Sequence, residues 1–543
     1  FNQSSRLWMN PIAGFQSPMR VTVPEMSELT RMEIHIPVAP EPSMNPTTSA
    51  EWHEYASGLA LQTRILIDGK WILASDGGSL ATINPATGEE ITAIACGTQG
   101  NVEQAAMVAR KRFDQGVWSR MPQRRRVEVL MRFADLVEEN KFELAALDTL
   151  EMGKPISEML SIDLPGSVLT LRYMAESLDK TGGACPTTDQ DALHYILRQP
   201  LGVVGCITPW NYPLMMAVWK VAPALAAGNS VVLKPAEDTS LSALVLGRLF
   251  LEAGGPDGVF NVVPGRGTIA GKALALSHFV DKIAFTGSTA VGRLMYEYSA
   301  KSNLKKVSAE LGGKSPQIIL EDAADLPHVA SVVASGLFGN QGEVCSAGSR
   351  ILVARRIHDE FCTLLAEAAK TRFLPGDPFD PKTTMGPLVN RVHQKRVLGY
   401  IDKAKQEGAT PLMSGIAHEE MSSGCYVSPA LFSGVTNAMT LAREEVFGPV
   451  GAVIAHDGPE EAITIANDSS YGLAAGIWTQ NLNHAHRIAR DLTCGMVWVN
   501  GYMNGDMSQP WGGWKQSGQG RDKCMDALLE NTQTKSVWVT LDQ

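Results

Sequence analysis

Three features of the sequence predict an α/β fold with more than one domain. The chain has 543 residues, 44% of them hydrophobic, so it can bury two or three cores. From Leu61 onward, short apolar segments with strand character alternate with segments whose apolar residues recur at helical spacing. Two of the strands run directly into charged or glycine-rich segments, at 234–237 and 287–292. Such strand ends are where α/β sheets hold ligands.

The individual elements follow one another in the order such a fold requires. RILIDGKWI and SLATINPATGEEI predict short strands around Asp-Gly and Pro-Ala turns. NVEQAAMVARKRFDQG and RRVEVLMRFADLVEENKFELAALDTLEMGK predict helices. VVLKPAE predicts an apolar strand that leads into a helix begun by Thr239 or Ser240 and ended by Gly254. GVFNVVPG, a further helix and KIAFTGS complete more β-α-β units.

The two ends of the chain differ from this pattern. Residues 1–50 are rich in Pro, Ser, Thr and Met and open at Phe1, which indicates a flexible or non-native extension. They carry no charged start followed by an apolar stretch, so a cytoplasmic location is expected. The last segment, TQTKSVWVTL, predicts a strand with nothing after it to cover its edges. Such a strand pairs either with another subunit or within its own chain.

Charge and cysteine usage exclude several classes of protein. The formal net charge of −10 argues against nucleic acid or an anionic membrane as the main partner. The most apolar region, 201–228, is interrupted by Pro209, Pro213, Lys220 and Pro223, so it fails as a membrane span of about 20 apolar residues. The eight cysteines form no C-x-x-C pair and no cluster with histidine at metal-ligand spacing. A reduced small-molecule enzyme without a metal fits best.

Two strand ends are candidate cofactor sites. FTGSTAVGR places Gly287 and Gly292 where a strand turns into a helix, and the free N–H groups of a helix N-terminus can hold a pyrophosphate. The spacing matches neither a P-loop nor the G-x-G-x-x-G fingerprint, so an ordinary turn capped by Ser288 or Thr289 is equally consistent. In LKPAE, Glu237 beside Lys234 would accept hydrogen bonds from a ribose and repel a 2′-phosphate, although surface charge is the simpler interpretation.

Three further segments carry candidate chemistry. In SAELGGKSPQIIL, Glu310 at a strand boundary would act as a general base if it were desolvated, and a surface carboxylate beside a turn is the alternative. In REEVFGPV, Glu444 or Glu445 would hold a ribose and Phe447 would lie beside a nicotinamide, although a capped loop with a core phenylalanine is more common. In NQGEVCSAGSR, Cys345 is either an inert small hydrophobe or a nucleophile whose pKa nearby helix N–H groups lower.

The order of these motifs resembles the aldehyde dehydrogenase superfamily. PWNYP, LKPAE, FTGSTAVG, ELGGKSP, NQGEVCSAGSR and EEVFGPV follow one another as they do in that family, and the likeness extends from about Trp52 to the C-terminus. The resemblance implies an α/β fold with a Rossmann-like NAD-binding domain at 51–180 and 201–312 and a catalytic domain at 313–512. It also implies a small strand extension at 181–200 and 525–543, through which members form dimers or tetramers.

The resemblance also implies roles for residues that act on the aldehyde. Cys345 matches the nucleophile, which forms a thiohemiacetal and, after hydride transfer, a thioester. Asn211 matches the amide that stabilises the oxyanion together with the Cys345 N–H. Glu310 matches the base that activates water to hydrolyse the thioester, which counts against the coenzyme A-acylating branch. Lys220 matches a lysine proposed to relay protons.

The residues expected to hold the cofactor follow from the same likeness. NAD is expected rather than NADP, because Glu237 would repel a 2′-phosphate. The positions implied to bind it are Lys234 and Glu237 for the adenine ribose, Gly287, Ser288 and Gly292 for the pyrophosphate, and Glu445, Phe447 and Trp210 for the nicotinamide end.

Within the superfamily, the closest likeness is to bacterial gamma-glutamyl-gamma-aminobutyraldehyde and aminoaldehyde dehydrogenases. DLPGSVLTLRYMAESLDK and NGDMSQPWGGWKQSGQGRDK carry it. Trp511, Tyr212 and Trp219 would form an aromatic wall that attracts an ammonium group, with Asp163 and Asp506 as added carboxylates. These segments contain no evident arginine for a substrate carboxylate, which weakens a succinate-semialdehyde activity. Betaine aldehyde and plain aliphatic aldehydes are the alternatives.

Two classes outside this family remain as alternatives. A cysteine hydrolase would use Cys345 with one of the eleven histidines and would not depend on NAD. A non-catalytic relative would be favoured by replacement of Cys345, Glu310 or Asn211, and all three are present.

Overall fold

The computed structural model describes residues 45–417 and 421–541. Most of the extension predicted at 1–50 lies outside these residues. Among those described, no helix is long and apolar enough to cross a membrane. The described chain opens with a helix that begins at Ser49 and is capped reciprocally by Thr48 and Glu51. Trp52 on this helix is 1% exposed, so the packed core includes the chain from this point onward.

The strands vary in length from two to nine residues. In chain order they are β1 (Ile65–Ile67), β2 (Lys70–Ile72), β3 (Ser79–Ile83), β4 (Glu90–Ala95), β5 (Ala192–Pro200), β6 (Val203–Ile207), β7 (Ser230–Lys234), β8 (Phe260–Val262), β9 (Lys282–Thr286), β10 (Lys306–Glu310), β11 (Pro316–Ile319), β12 (Arg350–Ala354), β13 (Thr410–Ser414), β14 (Ala430–Ser433), β15 (Val450–His456), β16 (Tyr471–Gly472), β17 (Ala474–Trp478), β18 (Met496–Val499), β19 (Trp514–Lys515), β20 (Gly518–Gln519) and β21 (Thr532–Thr540).

The α-helices connect these strands. In chain order they are α1 (Ser49–Ser57), α2 (Gln99–Gln115), α3 (Gln123–Glu139), α4 (Lys141–Met152), α5 (Ile156–Glu158), α6 (Leu164–Glu176), α7 (Pro213–Ala226), α8 (Leu241–Glu252), α9 (Lys272–Leu276), α10 (Thr289–Lys301), α11 (Leu326–Phe338), α12 (His358–Arg372), α13 (Arg391–Gln406), α14 (Thr440–Arg443), α15 (Pro459–Asn467), α16 (Leu482–Asp491) and α17 (Cys524–Glu530). Short π-helical segments precede α6 at Met159–Asp163 and α9 at Gly267–Gly271.

The first large sheet has the order β2-β1-β8-β7-β6-β9-β10-β20. Its centre, from β8 to β10, is parallel, and β1 and β20 join its two sides antiparallel. Val204 and Cys206 of β6 pack into one core, whereas Val203 and Ile207 pack into the other. This alternation buries every residue of the strand, as parallel sheets covered by helices on both faces require.

The second large sheet has the order β13-β14-β15-β12-β11-β17-β18. Only β13 at one edge is antiparallel to its neighbour. Ile318 of β11 packs on one face, and Ile319 packs on the other. The segment 311–315 connects β10 of the first sheet to β11 of the second, so a few residues link the two sheets.

The helix after LKPAE begins and ends where the sequence predicts, but it is capped differently. Ser240 is the N-cap residue and Gly254, with φ 88°, follows the last turn. The hydroxyl of Ser240 makes no cap hydrogen bond. Instead, the Glu151 carboxylate accepts hydrogen bonds from the amides of Ser240 and Leu241, at 3.2 and 2.8 Å. A buried carboxylate from α4 therefore satisfies the free N–H groups of α8.

The terminal strand pairs within its own chain. β21 lies antiparallel to β5, from Thr532 opposite Pro200 to Thr540 opposite Ala192. This two-stranded ribbon is mostly exposed and includes Trp538 at 58% exposure. The helix α17, which precedes it, packs into the core of the first sheet through Ala527 and Leu528. The second strand of the ribbon therefore begins only after this packed helix, at Thr532.

Candidate active site

A cavity of about 630 Å³ contains many of the residues singled out in the sequence. Part of its wall comes from α6, α7 and the segment 503–511, and part comes from the turn between β9 and α10, from α13 and from the segment 445–447. The predicted site residues that line it are Trp210, Asn211, Tyr212, Trp219, Gly287, Ser288, Cys345, Glu445, Phe447, Asp506 and Trp511. Residues from distant parts of the chain therefore share one space.

A strained turn holds Cys345 in the cavity wall. Asn340 and Gln341 adopt left-handed φ values of 48° and 57°, which non-glycine residues rarely do. Buried hydrogen bonds hold this conformation: Gln341 Oε1 accepts from the Gly386 amide at 3.1 Å. Strain of this kind persists only where the surrounding contacts fix it, and it concentrates at functional sites.

The segment after Cys345 is fixed from the other side. The Tyr502 hydroxyl donates a hydrogen bond to the Ser346 carbonyl at 2.6 Å. The backbone at Gly313 comes so close that a Cβ there would lie 2.2 Å from the Cys345 carbonyl oxygen. Only glycine permits this approach, so the connection between the sheets presses directly on the cysteine loop.

Asn211 is locked beside the cysteine. Its side-chain Nδ2 donates to the Glu343 carbonyl at 2.8 Å, and its own carbonyl accepts from Asn340 Nδ2 at 2.9 Å. An amide nitrogen carries two hydrogens. Because one is taken by Glu343 and the side chain lines the cavity, the second is available to an oxygen bound there.

The environment of Cys345 corrects one expectation. Burial, with the carboxylates of Glu445 and Glu310 adding to it, raises the pKa of the Cys345 thiol to about 12. The sequence led us to expect a lowered pKa from helix N–H groups, but the nearby amides of Cys345 and Ser346 contribute less than the loss of solvent. The thiol therefore keeps its proton at neutral pH in this arrangement.

Glu310 lies behind the cavity wall rather than in it. It is 5% exposed, and neither carboxyl oxygen has a hydrogen-bond partner among the described residues. Gly512 approaches it closely, since a Cβ there would lie 2.7 Å from Oε1. Burial, reinforced by Asp522, raises the pKa of Glu310 well above its usual value, which agrees with a desolvated carboxyl rather than with a surface carboxylate beside a turn.

Asp522 is a residue that the sequence did not reveal. Its Oδ2 accepts a hydrogen bond from Lys220 Nζ at 2.6 Å, and the lysine side chain is 1% exposed. The two residues are 302 positions apart, so no spacing rule connects them. The only available signal was an acid within the glycine-rich segment GQGRDK, which does not indicate its partner.

Several predicted cofactor residues converge at one end of the cavity. The Glu445 carboxylate accepts from the Gly313 amide at 2.8 Å, and a Cβ at Gly312 would lie 2.2 Å from it. Burial raises the pKa of Glu445 to about 7. Trp210 and Phe447 meet edge to face with ring centroids 5.3 Å apart, and Phe447 has a left-handed φ of 60°.

The other predicted cofactor residues occupy neighbouring strand ends. Ser288 caps α10 by accepting from the Val291 amide, while Gly292 packs against Leu311 and does not reach the cavity. Glu237 accepts from the Gly267 amide at 2.6 Å. Lys234 is 4% exposed, and burial lowers its pKa to about 8. Lys234 and Glu237 lie outside the cavity, at the end of β7.

Four of the five substrate residues expected from the sequence line the cavity, and the fifth does not. Trp219 and Trp511 meet edge to face at 5.5 Å and line the cavity with Tyr212. Asp506 also lines it and is exposed. Asp163 does not: it is 1% exposed and bound to Lys154 Nζ at 2.6 Å, because a buried acid requires a partner of opposite charge. The expectation that Asp163 faces the substrate is therefore wrong.

The structure adds wall residues that no motif indicated. Four methionines and two aliphatic residues line the cavity, together with one lysine: Met215, Met216, Met503, Met507, Ile162, Leu169 and Lys523. The apolar residues on α6 and α7 have the spacing of ordinary core residues, so the sequence does not indicate that they line a cavity. Among the described residues, no group of three or more His, Cys, Asp or Glu is arranged to hold a metal ion.

The fold and this arrangement agree with a family model. Residues 71–537 match the model described as "Aldehyde dehydrogenase family", so the chain belongs to this family of oxidoreductases that act on aldehydes. The resemblance and the fold class predicted from the sequence are confirmed.

Particular relatives narrow the comparison. The chain is 43% identical over 499 residues to the NADP/NAD-dependent aldehyde dehydrogenase PuuC of Escherichia coli, which covers 92% of this chain and 100% of PuuC. The structure of gamma-glutamyl-gamma-aminobutyraldehyde dehydrogenase from Burkholderia cenocepacia superposes with a TM-score of 0.89 at 45% identity, covering 91% of this chain and all of that one. The structure of the P. syringae AldA indole-3-acetaldehyde dehydrogenase in complex with NAD+ and IAA superposes with a TM-score of 0.90 at 46% sequence identity. It also covers 91% of this chain and all of that one.

The approach of Gly313 to the cysteine loop generates a prediction. Replacing Gly313 by Ala forces the Cys345 carbonyl to move, because the added Cβ would meet it at 2.2 Å. We expect kcat/KM for an aldehyde to fall about 10²-fold, the cost of an ångström-scale misplacement of a reacting group. Steady-state kinetics on the purified variant measures this.

A matched glycine provides the control. Gly339 precedes the same loop, and a Cβ there would meet nothing within 4 Å. Gly339→Ala is expected to keep kcat/KM within about twofold. Equal losses in both variants would contradict the argument from close approach.

The raised pKa of Cys345 generates a second prediction. Because the thiol keeps its proton up to a pKa of about 12, its alkylation by iodoacetamide in the protein without added NAD is expected to rise about tenfold per pH unit from pH 7 to 10. Mass spectrometry of the peptide that contains Cys345 measures the rate, with the exposed Cys185 as an internal reference. A rate that levels off near pH 8 would show that the thiol is not perturbed in this way.

Proposed function

We propose that the protein oxidises an aldehyde to its carboxylic acid, with NAD as hydride acceptor and Cys345 as nucleophile. The observation that carries this proposal is the meeting of the Cys345 thiol and the free hydrogen of the Asn211 amide in one cavity. A nucleophile beside a fixed hydrogen-bond donor is what attack on a carbonyl requires.

The residues near the cavity fit NAD. The buried hydroxyl of Thr286 lines the cavity and has no hydrogen-bond partner among the described residues. It is followed by the N-terminus of α10, which favours a negatively charged phosphate. At the other side, the Glu445 carboxylate is positioned to accept a hydrogen bond from a ribose hydroxyl. When bound, NAD accepts the hydride that leaves the aldehyde carbon.

NAD is proposed over NADP because of one carboxylate. Glu237 at the end of β7 would repel a 2′-phosphate, whereas it accepts hydrogen bonds from a free ribose. P. syringae AldA, a relative of similar fold, is solved with NAD+, and E. coli PuuC is described as NADP/NAD-dependent. We therefore expect NAD to give a higher kcat/KM than NADP when the two coenzymes are compared with the same aldehyde.

The protein's own groups account for the proton steps. The Cys345 sulfur bonds to the aldehyde carbon as its proton passes to the Glu310 carboxylate, and the carbonyl double bond opens to an oxyanion that is held by Asn211 Nδ2 and the Cys345 amide. Loss of hydride leaves a thioester on the sulfur. Water then adds to the thioester, Glu310 takes its proton, and the acid and the thiol are released.

Glu310 must lose its own proton before it can accept another. It takes that proton from Cys345 in the first step, and burial, which raises the pKa of Glu310, favours the protonated form. The hydrogen-bonded Lys220–Asp522 pair is proposed to receive this proton. The pair lies near enough that the charges of both residues act on the pKa of Glu310, Asp522 raising it and Lys220 lowering it. Movement of Glu310 toward the cavity would bring it to the water that it activates.

The proposed substrate is an amino- or gamma-glutamylamino-aldehyde. This rests on the likeness to the Burkholderia cenocepacia gamma-glutamyl-gamma-aminobutyraldehyde dehydrogenase and on the aromatic wall of Trp219 and Trp511, whose ring faces attract cations. The AldA complex supports a second candidate, an aromatic aldehyde, because the methionines and aromatic rings of the wall also suit an indole.

The oligomeric state and the cellular location of the protein are also proposals. Among the described residues, no further strand pairs with the outer edge of β21 in the exposed β5–β21 ribbon, whereas Ala184 bridges the outer edge of β5 at Ile196. This open edge and the exposed Trp538 support pairing with further copies as a dimer or tetramer. None of the eight cysteines is in a disulfide, which supports a cytoplasmic location.

The central experiment removes the nucleophile. Cys345→Ala is expected to abolish NADH formation while NAD binding stays nearly intact, because the cofactor contacts come from other residues. Asn211→Ala is expected to lower kcat about 10²- to 10³-fold through loss of an oxyanion donor. NADH absorbance measures turnover, and calorimetry measures NAD binding.

The control is Cys185→Ala, an exposed cysteine outside the cavity, which should leave turnover unchanged. The substrates are 4-aminobutyraldehyde, its gamma-glutamyl derivative, betaine aldehyde, indole-3-acetaldehyde, succinate semialdehyde and butyraldehyde. A Cys345→Ala variant that keeps most of its activity would refute the mechanism. Highest kcat/KM for butyraldehyde or succinate semialdehyde would refute the substrate class alone.

A further inference from the structure

A lysine occupies the aromatic wall that the sequence assigned to a substrate cation. Lys523 Nζ lies 5.8 Å from the ring centroid of Trp219, within the range of a cation–π contact. Lys523 lines the cavity, and so does Asp506. Lys523 therefore competes with a substrate cation for the ring face of Trp219.

Neither charge is held in a close ion pair. Among the described residues, neither Lys523 nor Asp506 has an opposite charge within 4.0 Å, although the two lie near enough for each charge to act on the pKa of the other. Asp506 Oδ1 accepts hydrogen bonds from the amide and hydroxyl of Ser508, at 2.8 and 2.7 Å, which fix the direction of the carboxylate. Each group is therefore available to a ligand in the cavity.

The backbone holds the two charges in a fixed relation. The Cys524 amide donates to the Met507 carbonyl at 2.8 Å. Trp511 and Asp522 exchange two backbone hydrogen bonds, at 2.9 and 2.7 Å. Lys523 itself has a left-handed φ of 61°, which these bonds on either side of it maintain. A pair positioned in this way can discriminate between ligands by charge.

We propose that Lys523 and Asp506 together select aldehydes whose far end carries a carboxylate and an ammonium group, as an amino-acid head does. A free aminoaldehyde presents only a cation, which Lys523 repels. A dicarboxylic semialdehyde presents only an anion, which Asp506 repels. A zwitterionic head satisfies both charges at once, and the apolar wall of methionines suits the uncharged chain between head and aldehyde.

This inference rests on the proposed function and deepens it. Within the class of amino- and gamma-glutamylamino-aldehydes, it favours the gamma-glutamyl form, whose glutamyl end is zwitterionic. It also identifies Lys523, which has no counterpart among the residues predicted from the sequence, as a determinant of specificity.

The test measures kcat/KM for four aldehydes with Lys523→Met, which keeps the length of the side chain and removes its charge. We expect about a tenfold loss for gamma-glutamyl-gamma-aminobutyraldehyde, about a tenfold gain for 4-aminobutyraldehyde and no change for butyraldehyde. The kcat/KM for succinate semialdehyde is expected to fall, as it does for gamma-glutamyl-gamma-aminobutyraldehyde. Lys523→Arg should restore the wild-type order, since it keeps the charge.

Two further variants separate charge at the cavity from general effects. Asp506→Asn is expected to weaken the gamma-glutamyl and amino substrates about tenfold and to improve succinate semialdehyde. Lys395→Met removes an exposed lysine on α13 and should change none of the four values.

The outcomes distinguish this inference from the proposed function. If wild-type protein oxidises butyraldehyde with NAD but Lys523→Met changes all four aldehydes equally, the selection by charge is wrong and the chemistry stands. If no aldehyde yields NADH in the wild type, the proposed function itself fails. A gain for 4-aminobutyraldehyde opposed to a loss for the gamma-glutamyl form supports the inference.

Discussion

The close approach of the segment Gly312–Gly313 to the cysteine loop is the constraint on which the rest of the site depends. This segment connects the two large sheets, so its position is fixed by both cores. Because it has no side chains, it lies directly against the Glu445 carboxylate and the Cys345 carbonyl. Any larger residue would push the Cys345 loop away from the end of the cavity that Glu445 and Phe447 line. The site therefore exists only where the two sheets meet.

Burial sets the charge state of the site more strongly than any single partner does. Loss of water raises the pKa of both Cys345 and Glu310, and the neighbouring acids reinforce this. Lys220 and Asp522, by contrast, are buried as a hydrogen-bonded pair. A buried pair of opposite charges leaves no uncompensated charge in the interior. The Asp163–Lys154 pair follows the same rule and so is removed from the substrate cavity.

The periodic parts of the fold were predictable because their signals are local. The strand β7 and the helix α8 appear where apolar runs and turn residues place them, and Gly254 ends the helix as expected. The caps were less predictable, since the free amides of α8 are satisfied by Glu151 from another helix. The terminal strand had two possible partners, and pairing with β5 depends on contacts more than 300 residues apart along the chain.

The sequence by itself determined the family, the chemistry-bearing motifs and the order of the elements. These properties are written in short segments whose residue types have few other uses, such as the cysteine in NQGEVCSAGSR. Only the tertiary structure decided which charges meet: Asp522 with Lys220, Asp163 with Lys154, and Lys523 over Trp219. A pairing between distant side chains depends on how two sheets and their helices pack, and no local pattern of residues carries that information.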